Sequence, residues 1–199
     1  MTLLPKRFYS RDSLDVAREL LGKHIRKDGI VLRITETEAY RWPDDSANHC
    51  YSGRTKRNTP MFGPAGHTYV YLCYGIHSLL NIVTNSKGEG AAVLIRACDI
   101  IQGEAKVLSR RKIKFGPALL NGPGKVGQAL AVTTNWSAHS VYKREGLEIH
   151  DAPLITNISH GPRVGIDYAL PKDVAALYRF GITGCKWVSK RHELRPLSV

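Results

Sequence analysis

Apolar residues recur at helical spacing near the start of the chain. Asp12 or Ser13 can cap a helix there, and Gly22 ends the pattern. The apolar face of this predicted helix consists of Leu14, Ala17, Leu20 and Leu21. The sequence therefore predicts a short amphipathic helix that packs one side against a core.

Three later segments have the composition of β-strands. They span residues 30–40, 67–74 and 91–97, are rich in β-branched, aromatic or aliphatic residues, and are separated by stretches containing Gly or Pro. Helices are predicted again at residues 124–130 and 171–180. Because the strands cluster and no regular βαβ alternation follows, we expect an α+β fold. We expect one domain over residues 1–199, with helices packed around a curved, mostly antiparallel sheet.

The charge balance points to an anionic partner. Lys and Arg number 29 against 17 Asp and Glu, a formal net charge of +12. The 43% hydrophobic and 23% charged residues are ordinary for a globular protein, which excludes disordered and fibrous classes. The excess favours a polyanion such as nucleic acid, and a solvated basic surface is the alternative. The basic residues cluster in segments 54–57, 106–114 and 186–195.

Cysteine spacing and hydropathy restrict the compartment. The four cysteines are more than 20 residues apart and include no C-x-x-C pair, so we expect free thiols and no zinc or redox motif. No signal peptide is visible at the start, and segment 67–86 is too polar for a membrane span. We expect a reducing intracellular compartment, either the cytoplasm and nucleoid of a prokaryote or the nucleus of a eukaryote, without membrane association.

Segment 32–40 carries two carboxylates on a predicted strand. Strand alternation would place Glu36, Glu38 and Tyr40 on the same face as Leu32 and Ile34. A buried carboxylate is costly unless it is paired or protonated, and such groups gather at working sites. The alternative is a solvent-facing strand end.

Aromatic residues and an arginine on the other predicted strands add to this picture. Tyr69, Tyr71 and Tyr74 could form a stacking platform for bases, or could simply pack in the core. Arg96 ends an apolar strand, where it could bind a phosphate, pair with a buried carboxylate or extend to solvent.

The order of these motifs closely resembles the alkyladenine (3-methyladenine) DNA glycosylase family. The resemblance spans the chain from the first helix to Ser189, and the motifs together are far more specific than any one of them. They are Thr37-Glu38-Ala39-Tyr40, Ala47-Asn48-His49, Arg57-Asn58 with Met61-Phe62, Tyr69-Val70-Tyr71, Tyr74-Gly75, Asn81, Val93-Leu94-Ile95-Arg96, Gly122-Pro123-Gly124-Lys125 with Gln128-Ala129-Leu130, Pro162-Arg163-Val164-Gly165 and Trp187-Val188-Ser189.

The resemblance implies a monofunctional enzyme that flips a damaged purine out of duplex DNA and hydrolyses its N-glycosidic bond. Glu38 resembles the carboxylate that activates water, and Arg96 an arginine that helps to hold the water and the nearby phosphate. Glu36 is then expected to be structural and paired with a base. The remaining roles are a base pocket formed by Tyr40, His49, Tyr71 and Asn81, and a residue that intercalates into the gap in the DNA, Tyr74.

The partner implied is double-stranded DNA containing alkylated purines, hypoxanthine or ethenoadenine, bound by a monomer without cofactor or metal. A cationic alkylpurine leaves without a general acid, which explains why one carboxylate suffices where ordinary glycosidases use two. Further DNA contacts are expected from the basic residues Arg54, Lys56, Arg57, Lys125 and Arg163.

Competing interpretations remain open at this point. One is a bifunctional glycosylase that forms a Schiff base through an amine such as Lys125. Another is a non-catalytic nucleic-acid-binding module that stacks bases on its tyrosines. Segment 122–126 is not a Walker motif, although its helix start could hold a DNA phosphate. A zinc deaminase is disfavoured because its H-x-E and P-C-x-x-C signatures are missing.

Overall fold

The first helical segment forms where the apolar pattern predicts it. The computed structural model describes residues 2–197. Helix α2 spans Ser13–Glu19, and the Asp12 carboxylate accepts a 2.8 Å hydrogen bond from the backbone N–H of Leu14. Val16 and Ala17 are fully buried, which confirms the amphipathic prediction. A short helix before it, α1 (Lys6–Tyr9), was not predicted.

An antiparallel sheet forms the centre of the fold. Its strands are β1 (His24–Lys27), β2 (Ile30–Tyr40), β3 (Thr68–Cys73), β4 (His77–Val83), β5 (Ala92–Gln102), β6 (Leu147–His150), β7 (Ile158–Gly161), β8 (Arg179–Ile182) and β9 (Arg195–Pro196). The strand order in the sheet is β3-β4-β5-β2-β8-β7-β9, and β1 pairs with both β2 and β6. All the described pairings are antiparallel, which confirms the α+β prediction.

Strand β2 lies at the middle of the sheet and changes its alternation halfway. Ile34 pairs with Cys98, whereas Glu36 pairs with Ala97, so Thr35 is an extra residue. Neighbouring residues Ala97 and Cys98 face opposite sides, and cross-strand partners share a side. Glu36 and Ile34 therefore lie on opposite faces, and the prediction that both share a face with Leu32, Glu38 and Tyr40 is wrong. The bulge leaves the apolar side chains on the core face and directs the carboxylates to the other.

The remaining helices partly match the prediction. Helix α3 (Glu104–Arg111) was not predicted, whereas α4 (Pro123–Leu130) confirms the one expected near residue 124. The helix predicted over residues 171–180 is wrong beyond its first turn, because α5 spans only Pro171–Val174 and strand β8 begins at residue 179. There the pairing of Arg179 with Glu38 in the sheet overrides local helical preference.

Helix α2, strands β2 and β5, and helix α4 enclose the main hydrophobic core. All four cysteines are free thiols, as expected. Within residues 2–197, no helix is long and apolar enough to cross a membrane. No group of three or more His, Cys, Asp or Glu side chains suited to a metal ion occurs in that same part of the chain.

Candidate active site

Glu38 is a buried carboxylate that contacts three positively polarised groups. Its side chain is fully buried. Oε1 accepts a 2.8 Å hydrogen bond from the backbone N–H of Val164 and lies 3.2 Å from the Arg96 guanidinium. Oε2 accepts a 3.0 Å hydrogen bond from the Tyr40 hydroxyl. Since a carboxylate offers about four acceptor positions, Oε2 keeps one for a further donor such as water.

Glu36 is held by a second set of partners. Its Oε1 lies 3.2 Å from Arg96 Nε and 3.3 Å from an Arg179 nitrogen. The backbone N–H of Ser189 donates to Glu36 Oε2 at 2.7 Å, and the Ser189 hydroxyl donates to Oε1 at 3.0 Å. The two arginines are the basic partners that were expected for Glu36, and its structural role stays a prediction.

Arg96 joins the two carboxylates because the sheet is irregular on its side as well. Glu36 pairs with Ala97 and Thr37 pairs with Ile95, which leaves Arg96 as an extra residue on β5. Its guanidinium spans Glu36 through Nε and Glu38 through Nη1. Arg96 is 7% exposed, so its charge acts in a poorly solvated site where ion pairs are weakly screened.

A cavity lined mainly by aromatic and polar side chains lies next to Glu38. Tyr40 connects the two, because its side chain lines the cavity and its hydroxyl bonds to the Glu38 carboxylate. The empty volume of the cavity is about 280 Å³, including solvent at its mouth. The lining residues are Tyr40, Ala47, Asn48, His49, Met61, Tyr69, Tyr71, Asn81 and Tyr168. The structure therefore brings all four predicted pocket residues to one cavity.

The rings of His49 and Tyr71 meet at a steep angle and do not form two parallel plates. His49 contacts Tyr71 edge to face, with centroids 4.6 Å apart and planes at 75°. Tyr69 and Tyr71 are near-parallel at 5.5 Å, and the Tyr69 hydroxyl lies 3.1 Å from His49 Nδ1. Tyr69 is only 2% exposed, so it supports the other two rings and cannot belong to an open stacking platform.

The amide of Asn81 has a fixed orientation at the cavity wall. Its Nδ2 donates to the carbonyl oxygens of Tyr69 and Leu79 at 3.1 and 3.3 Å. Since both carbonyls can only accept, the nitrogen must face them, and Oδ1 is the amide atom left to the cavity. Asn81 thus offers an acceptor to an incoming base.

Burial keeps the titratable groups of this cavity neutral at neutral pH. It raises the pKa of Tyr69 to about 12 and that of Tyr71 still further. Burial and the Glu38 carboxylate raise the pKa of Tyr40, which preserves its hydroxyl as a donor. Burial, aided by the Arg57 charge, lowers the pKa of His49. Neutral, electron-rich rings favour a cationic or electron-poor base.

Tyr74 projects from the tip of the β3–β4 hairpin. Its side chain is 88% exposed, and Ile76, two residues further on, is 74% exposed. The backbone N–H of Ile76 donates to the Cys73 carbonyl at 3.2 Å, and both central residues have positive φ, +50° at Tyr74 and +73° at Gly75. These φ signs define a type I′ turn, which directs the ring outward from the sheet.

Four of the five predicted DNA-contacting residues are at least partly exposed, and they form two groups. Arg54, Lys56 and Arg57 are exposed and form no ion pair with a carboxylate in the described chain. The Arg57 guanidinium lies 5.6 Å from the centre of the Tyr71 ring, which brings positive charge to the cavity rim. Lys125 is half-buried, donates to Asn121 at 2.6 Å and does not line the cavity.

Arg163 is a correction to the expected set, because it does not lie at the surface. Its side chain is fully buried and forms a two-pronged pair with Asp45 at 2.5 and 2.8 Å. It also donates to the Ala39 carbonyl at 3.0 Å and lies 4.8 Å from the Tyr40 ring centre. A buried guanidinium paired with Asp45 cannot contact a DNA phosphate. Arg163 instead packs beside Tyr40 and supports that wall of the cavity.

The sequence interpretation missed several parts of the site. Val164 lies in a quoted motif, but its contribution is a backbone N–H, which no side-chain pattern identifies. Met61 and Asn48 also occur in quoted motifs without an assigned role. Tyr168 belongs to none of these motifs, and only the folded chain brings it to the cavity.

Comparisons with known proteins agree with this arrangement. The chain matches the family model described as methylpurine-DNA glycosylase over residues 7–186. It is 53% identical to the DNA-3-methyladenine glycosylase of Arabidopsis thaliana, over 99% of this chain and 78% of that protein. A protein of Nitrosococcus oceani, provisionally named a 3-methyladenine DNA glycosylase, is 51% identical over 98% of this chain and 96% of its own length. A protein of Methanocella arvoryzae with the same provisional name is 42% identical over 96% of this chain and 98% of its own length. A family match and relatives of this similarity over nearly the whole length establish that the chain belongs to the methylpurine-DNA glycosylase family, whose members act in DNA repair.

Proposed function

We propose that this glycosylase removes alkylated purines, hypoxanthine and ethenoadenine from duplex DNA, leaving an abasic site. The damaged nucleotide leaves the helix, its base enters the aromatic cavity, and a water molecule activated by Glu38 attacks C1′ of the sugar. The observation that carries this proposal is the position of Tyr40, which lines the cavity and donates a hydrogen bond to the buried Glu38 carboxylate.

The Glu38 contacts support a base and electrostatic role for this residue. Val164 and Arg96 bind Oε1, so the open acceptor position on Oε2 can hold the attacking water and take its proton. The same negative charge stabilises the oxocarbenium ion that develops at the sugar. An alkylpurine carrying a positive charge leaves as a neutral base, so its reaction balances without a second carboxylate. Hypoxanthine and ethenoadenine are neutral in DNA, so the departing ring must take up a proton, and the proton released by the attacking water supplies it.

Tyr74 supports extrusion of the base. A base inside the stack cannot reach an enzyme cavity, and an aromatic wedge that fills the vacated space offsets part of the unstacking cost. The exposed ring of Tyr74 and the basic segment 54–57 suit a surface that contacts duplex DNA. We further propose that the enzyme acts as a monomer in a reducing intracellular compartment.

The test is single-turnover base release from duplexes that carry one alkylated purine, one hypoxanthine or one ethenoadenine, beside an undamaged duplex. We expect release from the damaged duplexes and none from the undamaged one. No release from any duplex, with binding retained, would instead support a binding module without catalysis.

A further inference from the structure

Tyr168 is an aromatic residue at the mouth of the cavity that none of the assigned roles uses. It is 67% exposed, whereas the cavity-lining Tyr69 is almost fully buried. It lies in the loop between β7 and α5, far in sequence from the strands that carry the other rings. An open aromatic face beside the aromatic cavity is surface that an incoming nucleotide would cover.

The ring is held in place at its outer end. The Tyr168 hydroxyl donates a 2.8 Å hydrogen bond to the backbone carbonyl of Ala47, which itself lines the cavity. Ala47 lies two residues before His49, so this bond connects Tyr168 to the loop that carries the opposite aromatic wall. The ring is therefore ordered before any nucleotide enters.

Two sets of contacts brace the segment on either side of Tyr168. On the N-terminal side, the buried Arg163 pairs with Asp45. On the C-terminal side, the Ser46 hydroxyl donates to Asp173 at 2.5 Å and accepts from the backbone N–H of Leu170 at 2.8 Å. Because both sets join the Tyr168 loop to residues 45–47, the ring belongs to a rigid rim and not to a mobile loop tip.

We propose that Tyr168 is a further specificity-determining residue, which packs against the extruded purine nucleotide at the cavity mouth. This inference rests on the proposed function. The aromatic ring supplies the contact, and the hydroxyl serves to orient the ring through Ala47. Since a normal base remains in the helix, the contact stabilises only the extruded state and so favours damaged over undamaged DNA.

The experiment measures binding in the Glu38→Gln background, so that no base is released. Affinities for an ethenoadenine duplex and for the matching undamaged duplex are compared for Tyr168→Ala, Tyr168→Phe and the control Phe115→Ala, whose ring is 56% exposed and lies outside the cavity lining. Discrimination is the ratio of the affinity for the ethenoadenine duplex to that for the undamaged duplex. Losing one aromatic contact to a base should reduce this ratio about tenfold in Tyr168→Ala. We expect Tyr168→Phe to lose less than about threefold and Phe115→Ala to keep the full ratio.

Discrimination in Tyr168→Ala equal to that of Phe115→Ala would overturn the inference. Far-ultraviolet circular dichroism and the urea midpoint of each variant identify any loss that comes from unfolding, and in that case the Tyr168→Phe value decides. If Tyr168→Phe matches the loss in Tyr168→Ala, the hydroxyl bond and not the ring contact matters, and the proposal fails. The proposed function is tested separately, because its failure would appear as absent base release in the wild-type enzyme.

Discussion

We expect Tyr74 to destabilise the fold while it promotes base excision. Replacing it with Asn should therefore raise the free energy of unfolding and lower the excision rate. A non-glycine residue in the left-handed region costs about 1–2 kcal/mol, and Tyr74 has φ of +50° in a turn of the type that favours Asn-Gly. Asn adopts this conformation more readily, and the 88% exposed ring makes little contact in the free protein. We therefore expect Tyr74→Asn to raise the free energy of unfolding by about 0.5–1 kcal/mol.

The same substitution removes the wedge proposed for DNA. An aromatic ring stacked on a base contributes about 1–3 kcal/mol, so single-turnover excision with limiting base extrusion should fall about 10–100-fold. Tyr74→Phe, which keeps the ring, should retain excision within about threefold of wild type. Urea unfolding and excision from an ethenoadenine duplex give the two quantities.

Opposite signs of the two effects are the diagnostic result, because general damage to the fold lowers both. A Tyr74→Asn variant that is less stable than wild type would refute the assignment of backbone strain to the turn. A Tyr74→Asn variant that excises at the wild-type rate would refute the proposal that Tyr74 fills the gap in the DNA.

Three further predictions concern packing, a buried ion pair and pH. In Gly127→Ala, the new Cβ would lie 2.0 Å from the Ser78 carbonyl oxygen, and this overpacking should lower the free energy of unfolding by about 1–3 kcal/mol in urea titrations. Asp45→Asn leaves the buried Arg163 charge without its partner, so the same measurement should show a loss of about 3–5 kcal/mol. The lowered pKa of His49 keeps its ring neutral at pH values where an ordinary histidine would already be protonated. Since a protonated ring repels a cationic base, initial rates of alkylpurine excision should fall only at a pH below the ordinary histidine range.

Each of these three predictions has a matched control. Gly122→Ala meets only the flexible Lys125 side chain at 3.4 Å and should change stability little. Glu145→Gln breaks an exposed ion pair and should stay within about 0.5 kcal/mol of wild type. His49→Gln should change the acid fall of the pH profile, and an unchanged acid limb would assign that fall to another group.

The sequence predicted those elements whose patterns are local. The apolar face of α2, its Asp12 cap and the full extent of β2 all follow from residue spacing. The failed prediction at residues 171–180 shows the limit of local pattern, because residue 179 pairs with Glu38 across the sheet. Only the assembled sheet makes that pairing available.

The site shows the same division at finer scale. A strict alternation places Ile34 and Glu36 on one face, and only the bulge at Thr35 separates them. Arg163 has the sequence appearance of a DNA contact, yet Asp45 buries it, and no spacing rule connects two residues so far apart. Long-range pairing therefore decides which charges serve the substrate and which serve the scaffold.

The two carboxylates of β2 provide the most direct measurement of the mechanism. Single-turnover excision of one alkylated purine is compared for wild type, Glu38→Gln and Glu36→Gln, with binding to the damaged duplex measured in parallel. Loss of a general base typically costs 10²–10⁴-fold, so we expect Glu38→Gln to lose at least about 10²-fold while still binding the duplex. Glu36→Gln leaves the Glu38 carboxylate in place and should lose less than Glu38→Gln. Near-normal excision by Glu38→Gln, or a larger loss in Glu36→Gln than in Glu38→Gln, would contradict the assignment of Glu38 as the water-activating carboxylate.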